Sequence, residues 1–350
     1  MQLKQYNLHN IMNFTIDNDL PFPSRFINTF DAEYMSFETE LQQSQSDLTI
    51  AFGKFSPDLK DTLILDNKIY IKENYIYGED SYKAAKWRFD LRGFDKGDIS
   101  LRIDCNVAAS LIVSGYLIDP LLHYKLTELG YTLIHGSCVN KNGRAYLFTA
   151  QGGGGKTSTA LNATRRGYSF MGDNYIIAYK GVALSYLSPL NIFHFNLNSI
   201  ITENMSFQKR FEFQLKNYLR KLTGLSIATK IDPRSIMPGP WTDEAELKSI
   251  LLLLPKETFQ VSDIGREELI DKISYNMKID LCYFQKYFLE YSYMFPKSFP
   301  ATFWRKYTEL LDQNIPDSIK TFQVAVPRKY NQDVFEKLLE VIEDDGYPEL

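Results

Sequence analysis

Four consecutive glycines, Gly152 to Gly155, followed at once by Lys156 and Thr157, constrain this chain more than any other feature. Ahead of them residues 145–149 (AYLFT) form a short apolar and aromatic run, the composition of a buried strand. Behind them residues 158–166 carry helix formers and stop at Gly167, which can take a left-handed C-cap without a Cβ clash. A chain passing from strand to helix through glycines can turn consecutive backbone N–H groups inward, and the helix N-terminus adds partial positive charge. That is a phosphate-binding loop of the P-loop or Walker A kind. Its spacing gives Lys156 the β- and γ-phosphates of ATP and gives the Thr157 hydroxyl a Mg²⁺ ion. The expected nucleotide-binding residues are therefore Gly152, Gly153, Gly154, Gly155, Lys156, Thr157 and Ser158. The pattern G-x-x-x-x-G-K-[ST] opens here on Ala150, which bears on the tightness of the first turn. A flexible glycine loop with an incidental lysine is the plainer reading, and the strand and helix flanks argue against it.

Two further residues fall near this loop. Residues 131–139 and 144–149, separated by Asn140 to Gly143, have the layout of a hairpin whose second arm delivers the glycines. His135 on the first arm is a candidate metal ligand or hydrogen-bond donor at the phosphates, or else a satisfied core residue. Asp173 follows the apolar run 168–171, ahead of a second strand at 175–179. A carboxylate there suits metal coordination or deprotonation of an attacking hydroxyl; beside Gly172 it also suits a turn.

Composition narrows the class. With 350 residues, 44% hydrophobic and 23% charged, the chain can bury a large core in two or three lobes. A net charge of −4 gives no global field for nucleic acid or a membrane. The three cysteines, Cys105, Cys138 and Cys282, are odd in number and far apart, as expected of reduced thiols in a cytoplasmic protein. No export signal or membrane span is expected from residues 1–14, 107–122 or 250–254.

Residues 1–105 read as a small antiparallel β-rich lobe. In KWRFDLR, Trp87, Phe89 and Leu91 alternate with charged residues, which predicts one core face and one wet face. A helical period from Asn106 ends at Gly130. Residues 249–255 (SILLLLP) predict a central strand; 267–280, 281–293 and 303–311 predict helices; 321–326 predict a strand; 331–343 predict an amphipathic helix opened by an Asn cap. Residues 186–195 are expected to bring the chain back across the pocket, with His194 structural. Residues 207–222 predict a helix whose Lys209, Arg210, Lys216, Arg220 and Lys221 form a solvated face. Lys230 and Arg234 are candidates to reach a phosphate or an acidic substrate. An acidic tail closes the chain.

Residues 134–174, IHGSCVNKNGRAYLFTAQGGGGKTSTALNATRRGYSFMGDN, resemble the catalytic core of the HPr kinase/phosphorylase family and, more distantly, ATP-dependent phosphoenolpyruvate carboxykinase. In both families a His-containing strand precedes a loop of the type G-x-x-G-x-G-K-[ST], and a short helix leads to an Asp pair. The resemblance implies that Gly153, Gly155 and Lys156 bind phosphates, that Thr157 holds the divalent metal, that His135 is the active-site histidine, a metal ligand in the carboxykinases, and that Asp173 binds metal or acts as catalytic base. Two positions depart from the family: the second Asp of the pair is Asn174, and the Glu after the loop hydroxyl residue is Ser158.

The expected fold is α/β: a P-loop core of HPr kinase and carboxykinase type with a mixed sheet at 106–260, a β-rich lobe at 1–105, and an α-rich lobe at 261–350. The expected function is ATP-dependent transfer of the γ-phosphoryl group to a hydroxyl, either a serine of a protein or peptide or a small metabolite alcohol, with Mg²⁺ or Mn²⁺ and with Asp173, Lys156 and His135 as catalytic residues. A catalytically weak nucleotide-binding regulatory module and a carboxykinase-like lyase are the alternatives. The acceptor and the oligomeric state are not legible from these residues.

Overall fold

Alternating apolar and polar residues through the first hundred positions build a nine-stranded sheet in this computed structural model, which describes residues 3–41, 45–65, 68–193, 199–224, 227–236, 239–327 and 330–343. Across that sheet the strands run Glu38–Thr39, Leu3–Leu8, Met12–Asn18, Leu48–Phe52, Ile99–Cys105, Ala85–Arg92, Tyr75–Tyr82, Ile69–Lys72 and Leu63–Leu65. The sheet is mixed, not antiparallel throughout. Leu48–Phe52 pairs parallel on both edges, with Met12–Asn18 and with Ile99–Cys105. Trp87, Phe89 and Leu91 are buried as their alternation predicts. Asp90 departs from the pattern: its side chain is fully buried and ion-paired with Arg102, with Arg92 at 3.6 Å. The sheet's outer face is therefore dry at that point because the charge is matched there.

Two compact units make up the chain, each assembled from separate stretches: Met1–Leu129 with Phe213–Lys230 and Leu281–Lys306, and Gly130–Glu212 with Ile231–Asp280 and Tyr307–Leu350. The expected lobes were consecutive in sequence. Long-range contacts explain the difference. Helix Asp119–Glu128 is tied to the first unit by the Tyr34 hydroxyl donating to Asp119 at 2.6 Å and the Tyr124 hydroxyl donating to the Phe94 carbonyl at 2.5 Å. Helix Arg266–Asp280 belongs to the second, where Lys272 donates to Gln323 at 2.7 Å.

The second unit holds the predicted hairpin. Thr132–Lys141 pairs antiparallel with Arg144–Thr149, and its other edge takes Tyr175–Tyr179 and Ser169–Gly172. Arg144–Thr149 then runs parallel to Glu244–Lys256, whose run of leucines is buried between two neighbours as a central strand requires. Lys320–Pro327 lies parallel on its far edge, and Gln260–Asp263 adds antiparallel to that strand. This sheet too is mixed, and helices flank it at Lys156–Arg165, Arg266–Asp280 and Gln332–Glu343. The last opens as expected, the Val334 N–H donating to the Asn331 side chain at 3.0 Å.

Cys105 and Cys138 are buried, Cys282 is exposed, and all three are free thiols. Among the described residues no helix is long and apolar enough to cross a membrane. Lys230 does not project toward a ligand; it is ion-paired with the buried Glu33 of the first unit. His194 and the acidic tail beyond Glu343 lie outside the described residues.

Candidate phosphate-binding site

The Arg144–Thr149 strand ends at the glycine loop, and the helix Lys156–Arg165 begins where the loop ends. Gly153 and Gly155 carry the turn with φ of +83° and +89°, backbone that a side chain rarely tolerates. Gly155 is the helix N-cap, and its carbonyl accepts the Thr159 N–H at 2.9 Å. A second reason keeps this position bare. A Cβ on Gly155 would come within 2.9 Å of the Tyr330 ring, whose hydroxyl is bonded to the Thr159 hydroxyl at 2.8 Å.

Lys156 is 8% exposed, and its ammonium donates to the Ala150 carbonyl at 2.6 Å and the Gln151 carbonyl at 3.4 Å. Asn276 donates to the same Ala150 carbonyl at 3.2 Å. Two donors on one carbonyl hold the first turn that an opening glycine would otherwise shape. Burial lowers the Lys156 pKa, and the negative charges of Asp173 and Asp280 oppose it.

Asp173 is no surface turn residue. It is 7% exposed, accepts the Thr157 hydroxyl at 2.9 Å on one oxygen and 3.1 Å on the other, and also accepts the Ser137 hydroxyl. The Ser188 hydroxyl donates to its backbone carbonyl at 3.0 Å, so the segment expected to return across the pocket does touch it. Burial raises the Asp173 carboxyl pKa, against the pull of Ser137, Thr157 and Lys156. Next to it Asn174 sits at φ +95°, and its carbonyl accepts the Gly136 N–H at 3.1 Å.

Side chains two apart on a strand share a face, so His135 points to the same side as Ser137. The His135 Nδ1 lies 3.6 Å from Asp280, is buried, and makes no hydrogen bond. Burial pushes the imidazole down to about 4, with Lys156 acting the same way and Asp280 against it, so His135 is neutral at neutral pH. Asp280 is held by the Tyr175 hydroxyl, and the Tyr175 ring packs 5.9 Å from the imidazole.

The structure therefore brings Thr157 and Asp173 into contact and couples Lys156 to Asp173, and His135 to Lys156, electrostatically. Ser158 stands on the first turn of the helix, where its carbonyl accepts Asn162 at 2.8 Å. A side chain at Gly152 would meet open space, whereas a Cβ on Gly154 would collide with the Ala150 Cβ at 2.5 Å. Ser137, Asn276, Asp280 and Tyr330 were not anticipated. Strand parity with His135 would have found Ser137; the other three come from helices and segments more than a hundred residues further on.

Among the described residues no group of three His, Cys, Asp or Glu side chains clusters to hold a metal. One hydroxyl and one carboxylate are the donor set of a Mg²⁺ ion that keeps waters and takes its remaining oxygens from a bound phosphate. Thr157 and Asp173 fit that role, and a neutral His135 would suit Mn²⁺.

No protein-family model matches the chain, and no curated protein matches it. Among solved structures it is similar to the HPr(Ser) kinase/phosphatase from Coxiella burnetii, at 12% identity over 43% of this chain and 98% of that one, with a TM-score of 0.21. At that score the likeness decides nothing about fold or activity.

Proposed function

We propose that the chain is an ATP-dependent phosphotransferase acting on a hydroxyl. One observation carries the reading: the Thr157 hydroxyl, the first hydroxyl of a helix that starts from a glycine loop, is paired with a buried carboxylate, Asp173, beside a buried lysine. Burying both charges costs free energy that packing alone would not recover, and such groups concentrate where phosphates are handled. The loop backbone from Gly152 to Gly155 would cradle the phosphates of ATP. Lys156, now on the carbonyls of its own loop, would exchange them for phosphate oxygens, an ion-paired contact instead of a hydrogen bond to a neutral acceptor. Bound Mg²⁺ would offset negative charge on the phosphates, with Thr157 and Asp173 as its protein donors.

Where it does not hold the metal, Asp173 would instead take the proton of the acceptor hydroxyl. Its raised pKa makes it a stronger base than a solvated carboxylate, and Ser137 and Thr157 orient it. His135, neutral and backed by Asp280, would donate a hydrogen bond to the same phosphates. The acceptor is a serine of a protein or peptide, or a small alcohol.

Asn174 supports a second reading. Asp173 has no acidic neighbour in the chain, which fits a nucleotide-binding module that switches without turnover. Incubation with γ-labelled ATP and a cell lysate separates the two: label moving to an acceptor supports the transferase, whereas slow hydrolysis that no acceptor accelerates supports the module.

A further inference from the structure

The helix Phe207–Thr223 is amphipathic in sequence but inverted in placement. At 3.6 residues per turn, Phe207, Phe211, Leu215, Tyr218 and Leu222 fall within about an 80° sector. That apolar stripe is the exposed one, at 83%, 63%, 48%, 61% and 66%. Lys209, Glu212, Lys216, Asn217 and Arg220, with Phe213, occupy the half-buried side. The expectation of a solvated cationic face is thus reversed for most of its residues. Lys216 turns in to donate to the Ala228 carbonyl at 2.9 Å, and Lys209 pairs with Glu212 at 2.7 Å. Arg210 and Lys221 remain exposed along one flank of the stripe, Arg210 with its guanidinium also donating to the Met205 carbonyl at 3.1 Å and the Thr202 carbonyl at 2.5 Å.

Five large apolar side chains in line form a contiguous exposed surface of the kind that marks an interaction site, where scattered ones would not. Charge decides the occupant. Arg210 and Lys221 both stand on the same flank of the stripe, so a second copy packed antiparallel, stripe against stripe, would bring like charge against like. An anionic surface would not, and a convex ridge with Phe and Leu at its crest and Arg and Lys at its edge has the form of a helix lying in a membrane interface. We propose that this helix docks the protein on an anionic lipid surface, with the Phe207 to Leu222 stripe in the headgroup boundary and Arg210 and Lys221 on the lipid phosphates. The chain's overall charge of −4 leaves this a local attraction, and no span of the bilayer is involved.

Flotation of the full-length protein with vesicles tests it. With phosphatidylcholine vesicles containing about one-third phosphatidylglycerol, the wild type should float with the lipid, and with phosphatidylcholine alone it should stay behind. Phe211→Asp with Leu222→Asp should weaken binding about tenfold or more, since both side chains are exposed and contribute only when covered. Arg210→Gln with Lys221→Gln should weaken it roughly tenfold at low salt and make it less salt-sensitive. Circular dichroism should be unchanged in both double variants, because neither touches the core; the melting temperature should be unchanged in the Phe211/Leu222 variant and slightly lower in the Arg210/Lys221 variant, which gives up the bonds to the Met205 and Thr202 carbonyls. Failure to float with anionic vesicles, or flotation that the Phe211/Leu222 variant leaves intact, overturns the proposal. So does light scattering that shows a dimer which the same variant dissociates, because the occupant would then be a second copy. Capture of a defined acidic protein through the stripe, without lipid binding, overturns it equally.

Discussion

Asp173 bears an electrostatic cost in the candidate site, and the cost has a sign. Burial holds its folded carboxyl above the ordinary range, so the folded chain takes up a proton more readily than the unfolded chain, and the ionised form lowers stability at any pH above that range. Asp173→Asn should therefore raise the melting temperature near neutral pH, with the gain fading in acid, while phosphoryl transfer falls on the order of 100-fold or more. A variant that turned over normally would make Asp173 a structural residue. His135 has the opposite sign. Its folded pKa is pushed from 6.5 to about 4, so the unfolded chain binds that proton more tightly, and stability drops as pH falls through this window, by roughly 3 kcal/mol. In His135→Gln that part of the acid destabilisation should disappear from urea titrations. In Asp280→Asn the imidazole, followed by NMR, should titrate lower still, since Asp280 is the group that raises it. An unmoved titration would mean that the two side chains do not interact. Lys156, Thr157 and Asp173 were picked from sequence as the residue types expected around a glycine loop, and the structure sets the Thr157 hydroxyl on Asp173. Asp280 was not, since it meets Tyr175 across 105 residues and leaves no local pattern.

At the level of elements, the hairpin, the central strand and the capped final helix all follow from local rules: turn residues, apolar runs, an Asn at the cap. The glycine loop follows such rules only in part. Four glycines look alike in sequence, yet the structure separates them: Gly155 has φ +89° with the Tyr330 ring where a Cβ would go, whereas Gly152 has open space and no positive φ. Gly155→Ala should cost about 1–3 kcal/mol in denaturant titrations, and Gly152→Ala should fall within about 0.5 kcal/mol of the wild type. Equal costs would mean that Gly155 neither holds a left-handed backbone nor faces the Tyr330 ring. The inverted helix shows the limit of periodicity. Its amphipathic pattern is plain in sequence, but which side faces the protein depends on what the rest of the chain offers, and the pattern alone cannot say.

For the whole molecule, α/β class and a mixed sheet in the second unit were readable from the order of apolar runs, but the parallel strands of the first sheet and the grouping of the chain were not. Each unit takes three separate stretches, and the contacts that group them, such as Tyr34 with Asp119, join residues 85 apart that share no local signal. The second unit nevertheless gathers every residue assigned to the nucleotide, from His135 to Asp280, which is what a single phosphate-handling site requires. The central claim is that this site binds ATP through the glycine loop and Lys156. Calorimetric titration of the folded protein with ATP and Mg²⁺, repeated with Lys156→Ala, tests it most directly. The wild type should bind saturably, and Lys156→Ala, with an unchanged circular dichroism spectrum, should bind on the order of 10- to 100-fold more weakly, the loss of one charge-assisted contact of about 1.5–3 kcal/mol. Absence of binding by the wild type, or undiminished affinity in Lys156→Ala, would contradict it.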